Sequence, residues 1–424
     1  MSSANKFLES LINYERVTSP YYNFKLSKFR RFLNAIGNPQ QKISNVILIA
    51  GTKGKGSTAS FIESGLRACG LKTGLFTSPH IHSLRERIKI SGQAITQRDL
   101  DRLINKIKPQ VKRYKITFFE AVTAIAFLYF LEKKIDYTIL EVGLGGRLDA
   151  TNVVKPKVSV ITRIGYDHTN ILGKILVQIA KEKAGIIHAG SYVVLSPQRP
   201  AALKAIKAKI RATKTKYYET AKELNVEYIK FNISGSEFMI TSFCKFKINL
   251  LGRHQIENAT TALGVLDYLK KKNSRITDQG IKNGFKEVQI PARCQIISRR
   301  PLIMIDGAHN PESAQALYDV IHDIIKRKAI VIFGSSQGKL IKEMFKILAP
   351  VTKEFILTQS KNPRHIPSSE LAETIKSFKV PFTITKSVNQ AIKLTLTEKN
   401  RKTPMVITGS FYVASEALKN LAKQ

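Results

Sequence analysis

Seven consecutive residues, Gly51-Thr52-Lys53-Gly54-Lys55-Gly56-Ser57, have the types needed to hold a phosphate. Glycines let backbone N–H groups approach an anion, a lysine adds a point charge, and a closing hydroxyl is able to hold Mg²⁺. The run departs from G-x-x-x-x-G-K-[ST], because Gly56 separates Lys55 from Ser57. A plain glycine-rich turn is the competing reading. Other reactive types recur downstream in Thr77-Ser78-Pro79-His80, in Glu141, and in Asp167-His168-Thr169. A carboxylate takes Mg²⁺ directly or through water, and an imidazole coordinates a metal or bridges carboxylates. Structural alternatives are a Ser-Pro turn for 77–80 and an ordinary lone histidine for His168, and for Arg147 and Asp149, in the loop after Glu141, an ion pair with each other.

Strands must present these groups. Val46–Ala50 reads as a buried strand that breaks into the glycine loop and then into a helix. Leu71–Phe76, Tyr137–Gly143 and Val158–Ile164 read as further strands, each ending in or followed by one of the polar groups. Ligands of open α/β sheets bind outside such strand ends. Residues 1–45 read as helical, with Gly37 closing one helix. Asp99–Lys108 and Phe119–Lys133 are also expected as helices, the second opened by a Thr117/Glu120 capping box. Leu84–Thr96 reads as an exposed, charged, hairpin-like segment. A helix ends near Gly185, Ala201–Lys216 reads as a surface helix, and Val226–Leu251 as strands turning at 234–236. Another helix runs from Gly252 to about Lys272.

Pro291-Ala292-Arg293 marks the interdomain join. Beyond it, strands at 302–306, 329–334, 354–358, 381–385 and 405–408 alternate with helices at 312–325, 338–348, 368–377, 388–397 and 413–422. That alternation implies β-α-β units and a mainly parallel sheet. Its first strand ends in Asp306-Gly307-Ala308-His309-Asn310-Pro311, where Pro311 suits a first helical turn. The expected layout is an N-terminal domain at 1–290, a linker at 291–300 and a C-terminal domain at 301–424.

At 424 residues the chain has ample material for two or three cores. Its three cysteines, Cys69, Cys244 and Cys294, lie far apart, which argues for neither a disulfide framework nor a zinc knuckle. The N-terminus lacks the apolar core of a secretory signal, and Ala121–Leu131 is too short to span a bilayer. A soluble, cytoplasmic protein is expected. The net charge of +38 raises nucleic-acid binding, but the lysines are scattered along the chain without a compact basic block. Solvated helix faces explain them, with attraction of anionic substrates as a consequence.

The motifs together resemble the folylpolyglutamate synthase/dihydrofolate synthase family of the Mur ligase type. The matching pieces are GTKGKGST (51–58), TSPH (77–80), EVGLGGRLDATN (141–152), DHTNILG (167–173) and EKAGI (182–186). GRHQIENA (252–259), PARCQ (291–295), IDGAHNP (305–311) and ITGSFYVASE (407–416) complete the order. The resemblance implies an α/β protein with a P-loop ATPase domain built on a mostly parallel sheet, followed by a Rossmann-like C-terminal domain. It also accounts for the displaced glycine, since the family's P-loop carries glycine after the lysine.

The implied activity is ATP-dependent amide formation. A substrate carboxylate attacks the γ-phosphate to give an acyl phosphate, and the amine of L-glutamate displaces phosphate. The substrate would be a reduced folate whose glutamate tail is extended, or dihydropteroate. The resemblance places Gly54, Lys55, Gly56, Ser57, Asn258, Arg293 and Asp306 at the nucleotide, and Ser57, Ser78, Glu141 and His168 at two Mg²⁺ ions. A monovalent cation is a further implied cofactor. Lys55, Lys183, His168 and His309 carry the catalytic roles, with Lys183 matching a lysine carbamylated by CO₂. An exposed helix-end lysine is the bland alternative for Lys183. Phe119, Glu120, Leu148, Asp149 and Ala150 match the pteridine-side segments.

Closure of the C-terminal domain would complete the site, and the protein is expected to act as a monomer without nucleic acid or membrane. Two positions depart from the family pattern. Arg163 stands where a small or amide residue is usual, and Gly334–Lys339 lacks an Asp-Lys pair. Another Mur-type amino-acid ligase, or a basic nucleic-acid-binding protein, are the alternatives.

Overall fold

The computed structural model describes residues 2–14, 25–241, 244–397, 400 and 402–422. Residues 15–24, part of the N-terminal stretch expected to be helical, lie outside these. The flanking described segments form helices at Ser3–Glu9, Leu26–Ala35 and Pro39–Lys42.

Eight strands build the first sheet: β1 (Val46–Ala50), β2 (Thr73–Phe76), β3 (Ile88–Ile90), β4 (Gln93–Ala94), β5 (Tyr137–Glu141), β6 (Val158–Ile161), β7 (Tyr192–Leu195) and β8 (Tyr217–Glu219). Their order is β4-β3-β2-β5-β1-β6-β7-β8. The pairs from β2 to β8 are parallel, and only the β2–β3–β4 edge is antiparallel. Every residue of β1 and β5 is buried, as helix-covered parallel strands require. The register pairs Ile49 with Glu141 and Ala50 with Ile161, so three strand ends meet beside the glycine loop. The core beneath includes the helix Phe118–Glu132, apolar almost all round and opened by the expected Thr117/Glu120 capping box.

The hairpin-like segment after β2 differs from its expected exposure. Arg87 is 1% exposed, and Ile88 and Ile95 are fully buried, because β3 pairs with β2 and faces the core.

Strands β9 (Val226–Asn232), β10 (Gly235–Ile240) and β11 (Cys244–Ile248) form a three-stranded sheet. The last sheet contains β12 (Gln295–Arg299), β13 (Leu302–Ile305), β14 (Ala329–Phe333), β15 (Thr352–Leu357), β16 (Phe382–Ile384) and β17 (Met405–Thr408). Its order is β12-β13-β17-β14-β15-β16, parallel except for β12 against β13. The stretch 291–300, read from sequence as a linker, thus contains an edge strand. Its short alternation, Gln295 to Arg299, is half-buried and escapes a search for apolar runs.

The chain divides into two compact units. The first comprises Met1–Glu227, Met239–Phe246 and Gln255–Val288; the second comprises Tyr228–Phe238, Lys247–His254 and Gln289–Gln424. Among the described residues no helix is long and apolar enough to cross a membrane.

Candidate active site

In the first unit the glycine loop leaves β1 and enters the helix Lys55–Ala68, with Gly54 as its N-cap at φ +85°. Side chains are excluded here by space as well as by backbone conformation. A Cβ on Gly51 would stand 1.8 Å from Thr162 Oγ1, and one on Gly54 would stand 2.0 Å from Asn258 Oδ1. Thr52 and Lys53 both donate their backbone N–H to the Arg163 carbonyl, and the Thr52 hydroxyl bonds Gly165. The loop is therefore held open from the β6 side, with the helix N-terminus free to attract an anion. Ser57 is buried on the first turn of that helix.

Two lysines converge on one backbone oxygen. Lys55 Nζ donates to the Gly51 carbonyl at 3.2 Å, and Lys183 Nζ donates to the same oxygen at 2.8 Å. Lys183 is 4% exposed, which overturns the alternative of a solvated helix-end lysine. Burial, reinforced by the charge of Lys55, pulls its ammonium down to about 7.

Glu141, at the buried end of β5, lies on the other side of the loop. Its carboxylate stands 3.3 Å from where a Cβ of Gly56 would be, and it accepts the backbone N–H of Ser78 at 2.9 Å. One buried carboxylate beside a phosphate loop and a serine hydroxyl suits Mg²⁺, which completes its shell with phosphate oxygens and water. His168 is placed differently: it caps the short helix Thr169–Leu172 at φ +50°, with its ring 3.8 Å from Asp167. Among the described residues no three His, Cys, Asp or Glu converge as a ready-made metal cluster, so Glu141 and His168 do not belong to one.

The pteridine-side residues divide. Phe119 packs at 5.8 Å from Phe76 and over Gly143, at the ends of β2 and β5. Glu120 is engaged in its capping box and lies 3.7 Å from Lys28. Asp149 forms no pair with Arg147, which instead binds Glu182 at 3.0 Å. It accepts from Leu144 N, Thr151 N and Thr151 Oγ1, and so shapes the loop while burial pushes its carboxyl up. Ala150 is buried in the core and Leu148 is half-buried beside them.

Asn258 belongs to the first unit, on the helix Arg253–Lys270, where it binds Gln255 and abuts Gly54. The second unit holds its own cluster. Asp306, buried at the end of β13, accepts from Cys294 N, Cys294 Sγ and Ala308 N. Burial raises its carboxyl against the pull of Arg293. The Arg293 guanidinium lies 4.9 Å from the Phe411 ring, and His309 lies 5.4 Å from the same ring while bonding Gly307 O. Cys294 in PARCQ and Phe411 in ITGSFYVASE carry no signal of this cluster in the sequence. Their types signal packing, and only folding puts them against Asp306 and Arg293.

Residues 49–266 match the Mur ligase middle domain, and residues 292–411 match the Mur ligase, glutamate ligase domain. The dihydrofolate synthase/folylpolyglutamate synthase of Bacillus subtilis is 33% identical over 93% of this chain and 94% of its own. Folylpolyglutamate synthase of Mycobacterium tuberculosis, solved with ADP, superposes with a TM-score of 0.89 at 27% identity, covering 99% of this chain and 98% of that one. The Escherichia coli FolC structure with DHPP and ADP gives 0.87 at 26% identity, over 100% and 98%. The glycine loop with its displaced Gly56, the buried Lys183 and the match along nearly the whole chain lead to one conclusion: this protein belongs to the folylpolyglutamate synthase/dihydrofolate synthase family of Mur ligases.

Proposed function

We propose that the chain is an ATP-dependent ligase that adds L-glutamate to the glutamate tail of a reduced folate, through an acyl phosphate of the folate carboxylate. The observation that carries this reading is the first-unit loop, where two lysines meet at the Gly51 carbonyl and the Glu141 carboxylate faces Gly56. Phosphoryl transfer is mostly positioning and charge stabilisation, and this loop supplies both. Backbone N–H groups of the loop and Lys55 hold the phosphates. Ser57, Ser78 and Glu141 would hold Mg²⁺, which neutralises phosphate charge when bound, and His168 would serve a second ion. Asn258, Arg293 and Asp306 contact the nucleotide in this reading, and His309 acts near glutamate or phosphate.

Lys183 is suited to carbamylation. A group titrating at about 7 is half neutral at neutral pH, and the neutral amine is the form that attacks CO₂. The product replaces a cation with an anion beside the loop. Phe119 offers a ring surface for a pteridine, and Glu120, Leu148, Asp149 and Ala150 belong to the same binding segments in this reading.

The FolC relative solved with DHPP favours dihydropteroate as a second acceptor. A cytoplasmic, monomeric enzyme without nucleic-acid partners is part of the same reading, as is a monovalent cation. The test is ADP release with tetrahydrofolate and with dihydropteroate, each with and without glutamate. Glutamate-dependent release with tetrahydrofolate supports the main reading, and release with both acceptors supports the bifunctional one. Release only with an unrelated carboxylate substrate from a Mur-type panel would replace it.

A further inference from the structure

Arg163 touches the phosphate loop and the Asn258 helix at once. Its carbonyl accepts from Thr52 N at 3.0 Å and Lys53 N at 3.2 Å. Its guanidinium, on a side chain 57% exposed, reaches Glu257 Oε2 at 2.9 Å. Glu257 directly precedes Asn258, whose amide oxygen lies 2.0 Å from where a Cβ on Gly54 would stand. The contacts close a ring: Thr52 to Gly54 along the loop, Gly54 to Asn258 by packing, Glu257 to Arg163 by charge, and Arg163 back to the loop. All of these residues lie in the first unit.

We propose that Arg163 is a positioning residue for the nucleotide, latching the Asn258 helix against the phosphate loop through Glu257. Neither half of the latch touches phosphate. The ion pair sets the distance between two walls that do, so its loss loosens nucleotide binding without removing a chemical group. Glu257 is mostly buried, so releasing Arg163 leaves a carboxylate without its partner and favours movement of that helix turn. The proposal rests on the reading that this loop binds ATP.

The test measures binding of the ATP analogue AMPPCP and steady-state kinetics for the wild type, Arg163→Gln, Arg163→Glu and the charge swap Arg163→Glu/Glu257→Arg. Arg163→Gln should weaken AMPPCP and raise KM for ATP by about three- to tenfold, the range for a half-exposed, charge-assisted pair. It should leave kcat and KM for glutamate within about twofold, which a general loss of structure would not do. The swap should bind better than Arg163→Glu alone. Unchanged AMPPCP affinity in Arg163→Gln, or a swap no better than the single variant, overturns the latch. A wild type that binds AMPPCP but releases no glutamate-dependent ADP refutes the ligase reading, while the AMPPCP comparison still decides the latch.

Discussion

Lys183→Met isolates the cost of burying an ammonium beside the phosphate loop. In the folded protein Lys183 titrates at about 7, against 10.5 for an unperturbed lysine. The folded value lies below the unfolded one, so between these pH values the unfolded chain binds the extra proton. Stability from this group therefore rises with pH across that window, by up to about 1.4 kcal/mol per unit. Below pH 7 both states are protonated and the full cost is present; above pH 10.5 both are neutral and it vanishes. Between pH 7 and 9 the wild type should gain about 2 kcal/mol relative to Lys183→Met. The assay is urea unfolding of both proteins at pH 7 and pH 9 in CO₂-free buffer, so that the amine stays unmodified. Parallel pH profiles would show that Lys183 is an ordinary lysine in the folded state, and the account of its burial would fall with them.

Lys55→Ala should lower turnover by about 10² or more while thermal melting stays near that of the wild type, as expected when a preorganised charge contact is lost. Gly54→Ala places a methyl on Asn258 Oδ1 at a positive-φ position, and should weaken AMPPCP binding by at least about tenfold. Thr117→Ala removes the hydroxyl half of a capping box and should cost about 1 kcal/mol of stability in chemical denaturation, with activity retained. Lys183→Ala should lose activity and recover part of it with small carboxylates such as formate or acetate; a fully active variant would exclude a carbamate at this position.

Local sequence specifies much of this protein. The runs Val46–Ala50 and Tyr137–Glu141 are long and β-branched enough to read as buried strands, and helix ends such as Gly37, left-handed at φ +89°, announce themselves through capping chemistry. The phosphate loop was legible because its function depends on backbone conformation, and glycine is the residue that records such a requirement. Motif order then supplied the family.

Other features depend on which neighbours folding brings together. Nothing in EKAGI distinguishes a solvated lysine from one 4% exposed; only burial, reinforced by the charge of Lys55, lowers its titration. The same holds for Arg147, whose partner is Glu182 rather than Asp149, and for Arg87, charged in sequence yet buried over the Phe118 ring. Arg163 looked like a departure from pattern, and only the tertiary structure joins it to Glu257, 94 residues away. A residue's type reports what it is able to do, and the spacing of its motif reports its local backbone. Burial and partnership come from distant segments, which is why the loop with its displaced Gly56 could be read early and the titration of Lys183 beside it could not.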